Sequence, residues 1–189
     1  MITMLKQMKK RNSGIPENVL PVFEGIVKKY TELGLNGRGN ELNSEFCQAM
    51  DTHLSKEQRY KLYETNGGCN GTGLDKDRKA FAIEYAHLAL DERIALFAET
   101  FGRWKPELND DNTLTLNFKC SHGYYKCARE GKPFTPPSTL QSYFESCAGG
   151  RLYELQKALG IKLKIKSVDI SALNKDANNP VAFTFEIVD

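Results

Sequence analysis

Long apolar runs and a strong net charge are both missing from this sequence. No apolar stretch approaches the roughly 18 residues that a membrane-spanning helix requires. The opening residues, MITMLKQMKKRNSG, lack the apolar core of a secretion signal. Twenty-six basic and twenty-four acidic residues give a formal net charge of +2, so bulk charge does not recruit nucleic acid. We therefore expect a cytoplasmic protein that binds neither membrane nor nucleic acid.

Cysteine is also scarce, with five residues in a chain of 189. An odd number does not suit a disulfide framework, and a chain of this length can bury a core without covalent staples. We expect reduced thiols that act as buried filler, metal ligands or reactive groups. Cys47 shares an apolar stripe with Leu42, Phe46 and Met50, which favours a packing role because a thiol behaves as a small hydrophobe.

The sequence pattern predicts an α+β protein with N-terminal helices, followed by a small antiparallel sheet with helices packed on one face. Residues 1–15 carry few apolar anchors, and we expect them to be mobile. Residues 16–189 are expected to form a single α+β domain, with a helical part at 16–104 and a sheet-containing part at 105–189.

Apolar spacing of three and four residues predicts helices over 16–33, 41–51 and 56–65. Ser55 and Gln58 form a capping box at the start of the third. One long or two abutting helices follow over 74–104, with Ile83 among the apolar positions and His87 as a partly buried structural histidine. A helix runs from a second capping box at Ser138 to Leu159. The segments NTLTLNF, IKLKIKS and VAFTFEIV alternate strictly and predict strands.

Several motifs that would assign an enzyme class are absent. The sequence contains no Gly-x-Ser-x-Gly elbow and no His-Glu-x-x-His pair. The glycine-rich NGGCNGTG resembles a phosphate loop, but it follows a helix and lacks Gly-Lys-Ser/Thr. We interpret it as a loop between helices that brings Cys69 to a surface or cleft.

The segment FKCSHGYYKC places Cys120, His122 and Cys127 close together along the chain. Thiolate and imidazole are ligands that zinc prefers, although this spacing matches no standard zinc knuckle. A metal site, a reactive thiol site and ordinary buried cysteines all stay open at this point. Tyr124 and Tyr125 add a possible aromatic pocket wall.

The segment SCAGGRLYE carries adjacent glycines in the middle of a predicted helix. Each glycine costs roughly 1 kcal/mol against alanine in such a position. Close approach of another backbone or of a ligand would account for this cost, and tight packing of the helix on the sheet is the alternative. Tyr143, Cys147, Arg151 and Glu154 fall on one helical stripe, so a thiol, a phenol and a guanidinium could converge.

The pieces YETNGGCNG, TLTLNFKCSHG and SCAGGRLYELQKALGIKLKIKSVDIS, with the closing VAFTFEI, resemble a family of uncharacterised small prokaryotic proteins with three cysteine motifs. That family looks related to aminothiazoline-carboxylate hydrolase-like and vinyl-reductase-like ligand-binding domains. The resemblance covers roughly residues 55–189. It implies a small-molecule pocket, with Cys69 from the first motif, Cys120 from the second and Cys147 from the third. His122 stands where the second motif has its other cysteine.

Together, the residues and the resemblance predict a cytoplasmic small-ligand-binding domain whose partner is a small molecule. The expected pocket residues share polar or aromatic side chains: Cys69, Cys120, His122, Tyr124, Cys147 and Arg151. If the site binds a metal, zinc is expected, with Cys69, Cys120, His122 and Cys147 as ligands. A homo-oligomer is compatible with the pattern.

Two alternatives remain. The first is a cysteine-dependent hydrolase of small carbon–nitrogen substrates, with His122 as the base. The second is an interaction module that uses the lysine-bearing strand IKLKIKS as an edge, although lysines on an edge strand more often prevent pairing.

Overall fold

The computed structural model describes residues 2–10, 13–34, 40–67, 72–102, 104–119, 140–176 and 178–188. Seven α-helices lie in this part of the chain: α1 (Ile2–Met8), α2 (Leu20–Glu32), α3 (Asn40–His53), α4 (Lys56–Thr65), α5 (Asp75–Glu84), α6 (Leu90–Phe101) and α7 (Leu140–Leu159). Short 3-10 turns occupy Glu17–Val19, Thr72–Leu74 and Ser171–Asn174.

Within the described ranges, four strands form one antiparallel sheet: β1 (Glu107–Leu108), β2 (Thr113–Phe118), β3 (Lys162–Asp169) and β4 (Val181–Val188). Their order across the sheet is β1-β2-β4-β3. Phe185 of β4 lies opposite Leu114 of β2 and Ile165 of β3, so one sheet face is apolar across three strands. The predicted α+β class, with N-terminal helices and an antiparallel sheet, is confirmed.

The core is one cluster of buried residues that includes both helices and strands. The apolar side of the sheet contributes Leu114, Leu116, Phe183 and Phe185, all fully buried. Helix α7 packs against this side and also contacts α3, α4, α5 and α6. It therefore lies between the sheet and the other helices, and polar side chains on it are buried wherever a helix covers them.

The helices that the sequence predicts over 16–65 are present, with ends that differ from the prediction by up to four residues. Helices α2, α3 and α4 lie where apolar spacing placed them, and α4 begins at the Ser55–Gln58 capping box. The long pattern over 74–104 divides into α5 and α6. Ile83, however, is 79% exposed, so its assignment to the core was wrong. The buried positions of α5 are Arg78 and Phe81, whose spacing turns Ile83 to the opposite face.

The N-terminal segment is better anchored than the sequence suggested. Helix α1 buries Met4 and Met8, which lie one above the other at a spacing of four residues. Ser13 donates a hydrogen bond to the Met8 carbonyl oxygen at 2.8 Å and accepts one from the Ile15 amide. The expectation of few apolar anchors overlooked the two methionines, while mobility itself stays a prediction.

The outer edge of β3 is covered by polar side chains. The Leu163 amide donates to Gln156 Oε1 and the Ile165 amide donates to Glu64 Oε1, both at 2.8 Å. After the bulge between Ile165 and Ser167, Gln141 Nε2 donates to the Val168 carbonyl oxygen at 3.0 Å. Because these backbone groups already have partners, the edge resists the addition of a further strand. This capping favours the protective interpretation of the strand over the interaction module.

We expect Glu64→Gln to raise the free energy of unfolding at neutral pH. The gain should be at most about 1 kcal/mol, because Glu64 is half-buried and solvent screens part of its charge. Burial raises the pKa of Glu64 above its ordinary value. The folded state therefore binds this proton more tightly than the unfolded chain, so stability falls as the pH rises from the ordinary glutamate pKa to the raised one. Glutamine still accepts from the Ile165 amide and carries no charge. Urea unfolding at a series of pH values checks this, and the gain should vanish below the ordinary glutamate pKa.

Glu57→Gln on the same helix is the matched control. Glu57 is exposed in the first turn of α4, and hydrogen bonds from its own amide and from Ser55 lower its pKa. A lowered pKa contributes stability above the ordinary value and loses it as the pH falls. Glu57→Gln should therefore weaken the fold at neutral pH, and responses of the same sign from both variants would contradict the account of Glu64.

Candidate functional site

Helix α7 carries most of the buried polarity in the described part of the chain. Of the six polar or charged residues buried there, four lie on this helix: Ser142, Glu145, Arg151 and Glu154. Its apolar stripe packs on the sheet and contains Phe144, Ala148, Leu152 and Leu155. Since the sheet covers the apolar stripe, Ser142, Glu145 and Glu154 face the helices that surround α7. Arg151 also lies against Phe118 of β2.

The glycines in the middle of α7 mark a close approach to another backbone. A Cβ atom placed on Gly149 would overlap the Tyr63 carbonyl oxygen and lie 2.8 Å from the Gly67 Cα atom. A Cβ atom on Gly67 would in turn overlap the Gly149 carbonyl and the Gly150 nitrogen. The backbone at the end of α4 therefore touches α7 directly. Of the explanations that the sequence left open, backbone approach is supported at this point, by a helix rather than by the sheet.

One group of charged residues lies between α7 and α5, and we call it the Arg78 cluster: Asp75, Arg78, Arg151 and Glu154. Glu154 binds two guanidinium groups, with Arg78 Nη2 at 3.0 Å from Oε1 and Arg151 Nη1 at 3.2 Å from Oε2. The side chains of Arg78, Arg151 and Glu154 are 5%, 8% and 3% exposed. Two cations therefore share one carboxylate in a nearly dry environment.

Asp75 lies at the more exposed end of the Arg78 cluster. The Tyr153 hydroxyl and the Lys157 ammonium group each lie 2.6 Å from Asp75 Oδ2. These contacts, Lys157 first, hold the pKa of Asp75 below its ordinary value. Asp75 is the first residue of α5, where a negative charge also suits the helix dipole.

Arg151 also lies against two aromatic rings. Its Cζ atom is 4.2 Å from the centroid of the Trp104 ring and 5.3 Å from that of Phe118. A guanidinium group gains cation–π stabilisation in such a position, and its planar shape suits stacking. Trp104 is the one tryptophan of the sequence, so its fluorescence reports on this part of the molecule.

A second group of charged residues connects α7 to α3 and α4, and we call it the Arg59 cluster: Asp51, Arg59, Ser142 and Glu145. Two nitrogens of Arg59 donate hydrogen bonds to the Glu145 carboxylate, Nε at 2.8 Å and Nη2 at 3.2 Å. The hydrogen bond to Glu145 raises the pKa of Arg59. Arg59 Nη1 donates to the Leu54 carbonyl oxygen at 2.9 Å, and the Ser142 hydroxyl donates to Asp51. These contacts hold three helices together.

Of the six predicted pocket residues, the structure describes Cys147 and Arg151. Both are buried on α7, one helical turn apart. Arg151 also forms an ion pair with Glu154, three residues further along the same stripe. Cys69, Cys120, His122 and Tyr124 lie outside the described residues, as does Cys127, so their convergence with Cys147 stays a prediction. Within the described ranges, no three histidine, cysteine, aspartate or glutamate side chains are grouped as metal ligands.

The remaining described cysteine and the two described histidines lie apart from the Arg78 cluster. Cys47 is buried on α3, and burial raises the pKa of its thiol to about 12, with smaller contributions from Asp51 and Glu145. The thiolate that nucleophilic chemistry requires is therefore scarce at this position. His53 and His87 are exposed, so the expectation of a partly buried His87 was wrong.

An open groove of about 460 Å³ lies on the outer side of α6. Its lining residues include small side chains, one aromatic ring and one charge of each sign: Ala95, Ala98, Glu99, Gly102, Trp104 and Lys105. Trp104 therefore contacts Arg151 and also contributes to the wall of this groove.

Sequence reasoning missed Arg78, Arg59 and the structural position of Trp104. A charged residue inside an amphipathic pattern looks like a solvated one until its partner helix is known. Trp104 was easier to recognise from the sequence than Arg78 or Arg59. A lone tryptophan between a helix and a strand marks a junction where a large ring must be packed.

Comparison with known proteins gave no match to a family model, to a curated protein or to a solved structure. The resemblance to the family with three cysteine motifs therefore stays a prediction. Among the described residues, no helix combines the length and apolar character that a membrane crossing needs.

Proposed function

We propose that this protein binds a small ligand beside the middle of α7, at a site to which Cys147 and Arg151 contribute. The observation that carries the proposal is the burial of Arg78, Arg151 and Glu154 where α5 contacts α7, the helix that also carries the cysteine. A thiol, two guanidinium groups and a carboxylate together offer ligands for a metal ion and hydrogen-bond donors for an anionic group.

The energetics of burial support a role beyond stability. Removing charges from water costs several kcal/mol per ion, and apolar replacements for buried ion pairs are often neutral or stabilising. A cluster such as Arg78, Arg151 and Glu154 is therefore a poor way to hold helices together for stability alone. Binding and catalytic sites are where such groups are commonly retained.

The residues that the sequence predicts extend this site to a zinc site. Cys69, Cys120 and His122 would join Cys147 around a zinc ion, and Tyr124 would line the pocket. Three thiolates and one imidazole are a ligand set of the kind found in structural zinc sites. The alternative is a hydrolase of small carbon–nitrogen substrates in which one of these cysteines attacks and His122 acts as the base.

Native mass spectrometry of protein purified without chelator tests the proposal. We expect a mass above that of the bare chain, and about one zinc ion per chain by metal analysis if the site is a zinc site. Cys147→Ala and Arg151→Gln should each lose the added mass. Cys47→Ala is the matched control and should keep it, because Cys47 is on α3 and its role is packing. The proposal would be contradicted if the wild type showed only the mass of the bare chain, and if zinc reconstitution under reducing conditions did not change that mass.

Thiol labelling near neutral pH separates the binding protein from the hydrolase. Fast modification of a single cysteine would favour the hydrolase, because a nucleophile needs a depressed thiol pKa. Uniformly slow labelling of all five would count against it. Cys47 serves as the internal reference for a slow thiol, since its pKa of about 12 leaves almost no thiolate at neutral pH.

A further inference from the structure

The groove on the outer side of α6 has the features of a second ligand site, distinct from the proposed one beside Cys147. Its volume of about 460 Å³ falls within the range of small-molecule pockets. Ala95, Ala98 and Gly102 have small side chains or none, so the groove floor is backbone and methyl groups, and Trp104 supplies an aromatic wall. Apolar contact area with a few polar groups is the usual composition of such sites.

Among the described lining residues two carry a charge, and these two charges have opposite signs. Glu99 and Lys105 are exposed, and neither forms a hydrogen bond or ion pair with any residue in the described part of the chain. A purely anionic ligand would be repelled by Glu99, and a purely cationic one by Lys105. A molecule with both charges satisfies both residues, which favours a zwitterion.

The end of α6 indicates which way round the zwitterion would lie. The helix ends at Gly102, whose φ of 59° is left-handed, and its last turn carries no basic side chain. The carbonyl groups at a helix C-terminus carry partial negative charge and attract cations. An ammonium group would therefore lie near Glu99 and the end of α6, and a carboxylate near Lys105.

We propose that this groove binds the zwitterion of an α-amino acid with an aromatic or large aliphatic side chain. The side chain packs on the alanines and on the part of the Trp104 ring that Arg151 leaves accessible. The ammonium group pairs with Glu99 and the carboxylate with Lys105. The groove and the cysteine site consist of different residues, but Trp104 of the groove contacts Arg151 of the cysteine site, so separate variants are needed to test the two.

Titration with L-phenylalanine, followed by Trp104 fluorescence at wavelengths where phenylalanine does not absorb, tests the inference. We expect saturable binding and about fivefold weaker binding of both phenylalanine amide and N-acetylphenylalanine, each of which lacks one charge. Lys105→Gln should abolish the preference over the amide, and Glu99→Gln the preference over the N-acetyl compound. The inference would be overturned if removing either charge from the ligand left its affinity unchanged. It would also be overturned if neither phenylalanine nor leucine gave a saturable signal.

Three variants control for indirect effects. Ala95→Leu fills the groove at an exposed helical position where leucine is well tolerated, and it should abolish binding without lowering the melting temperature. Lys76→Gln removes an equally exposed lysine outside the groove and should bind as the wild type does. Cys147→Ala should also keep phenylalanine binding, so a failure of the cysteine site and a failure of the groove give different results. Loss of binding in Lys76→Gln, or retained binding in Ala95→Leu, would place the ligand elsewhere and overturn the inference.

Discussion

Gly149→Ala should lower the free energy of unfolding by at least about 3 kcal/mol, a loss at the upper end for single substitutions. The added methyl group would overlap the Tyr63 carbonyl oxygen and lie 2.8 Å from the Gly67 Cα atom. Both are backbone atoms, which cannot turn aside as a flexible side chain can. Helix α4 would have to move away from α7, and the contacts of both helices would loosen. Chemical denaturation of the two proteins gives the difference directly.

Gly25→Ala is the matched control for this result. Gly25 is also inside a helix, α2, but within the described part of the chain no atom beyond its neighbours and the adjacent helical backbone lies within 4 Å of the position that its Cβ would take. Alanine should therefore stabilise the protein there by about 0.5–1 kcal/mol, the ordinary gain in helix propensity. Opposite signs for the two variants would identify the backbone contact as the cause. A stable Gly149→Ala variant would show that α4 and α7 are not held at this distance.

The helices and strands that the sequence predicted share one property, which is a long regular apolar pattern. Strand β2 alternates through Leu114, Leu116 and Phe118, and all three are buried as expected. Strand β1 was missed because two residues, Glu107 and Leu108, are too few to show a period. Its pairing is determined by the adjacent turn and by β2, which is information that a local pattern does not contain.

The candidate site also has one part that the sequence predicted and one part that it did not. The stripe of Cys147, Arg151 and Glu154 follows from helical geometry alone, so the sequence predicted it. The partners of that stripe, Arg78 and Trp104, come from elements far away along the chain. Which charged residue of an amphipathic helix turns inward depends on the helix packed against it, and no local rule supplies that. The proposed cysteine site requires the same kind of long-range information, which is why its test must be experimental.

Arg59→Met should lower the free energy of unfolding by about 3–5 kcal/mol, as is typical when one partner of a buried pair is removed. The Glu145 side chain is 1% exposed and receives two hydrogen bonds from Arg59. Without the guanidinium group, the one donor left to Glu145 among the described residues would be Gln141, at the longer distance of 3.4 Å. A buried carboxylate with so little compensation must either stay charged at high cost or take up a proton. Urea unfolding at neutral pH measures the loss.

The double variant Arg59→Met/Glu145→Leu decides whether the pair itself stabilises the fold. Both replacements are apolar and of similar volume, so the double variant should recover to within about 1 kcal/mol of the wild type. Glu145→Leu alone should cost less than Arg59→Met, because Arg59 is 12% exposed and keeps Asp51 and the Leu54 carbonyl oxygen as partners. If the double variant is as unstable as Arg59→Met, the Arg59 cluster contributes net stability to the junction of α3, α4 and α7. Recovery would instead show that α7 carries this pair for a reason other than stability, which is the same argument that supports the proposed ligand site beside the Arg78 cluster.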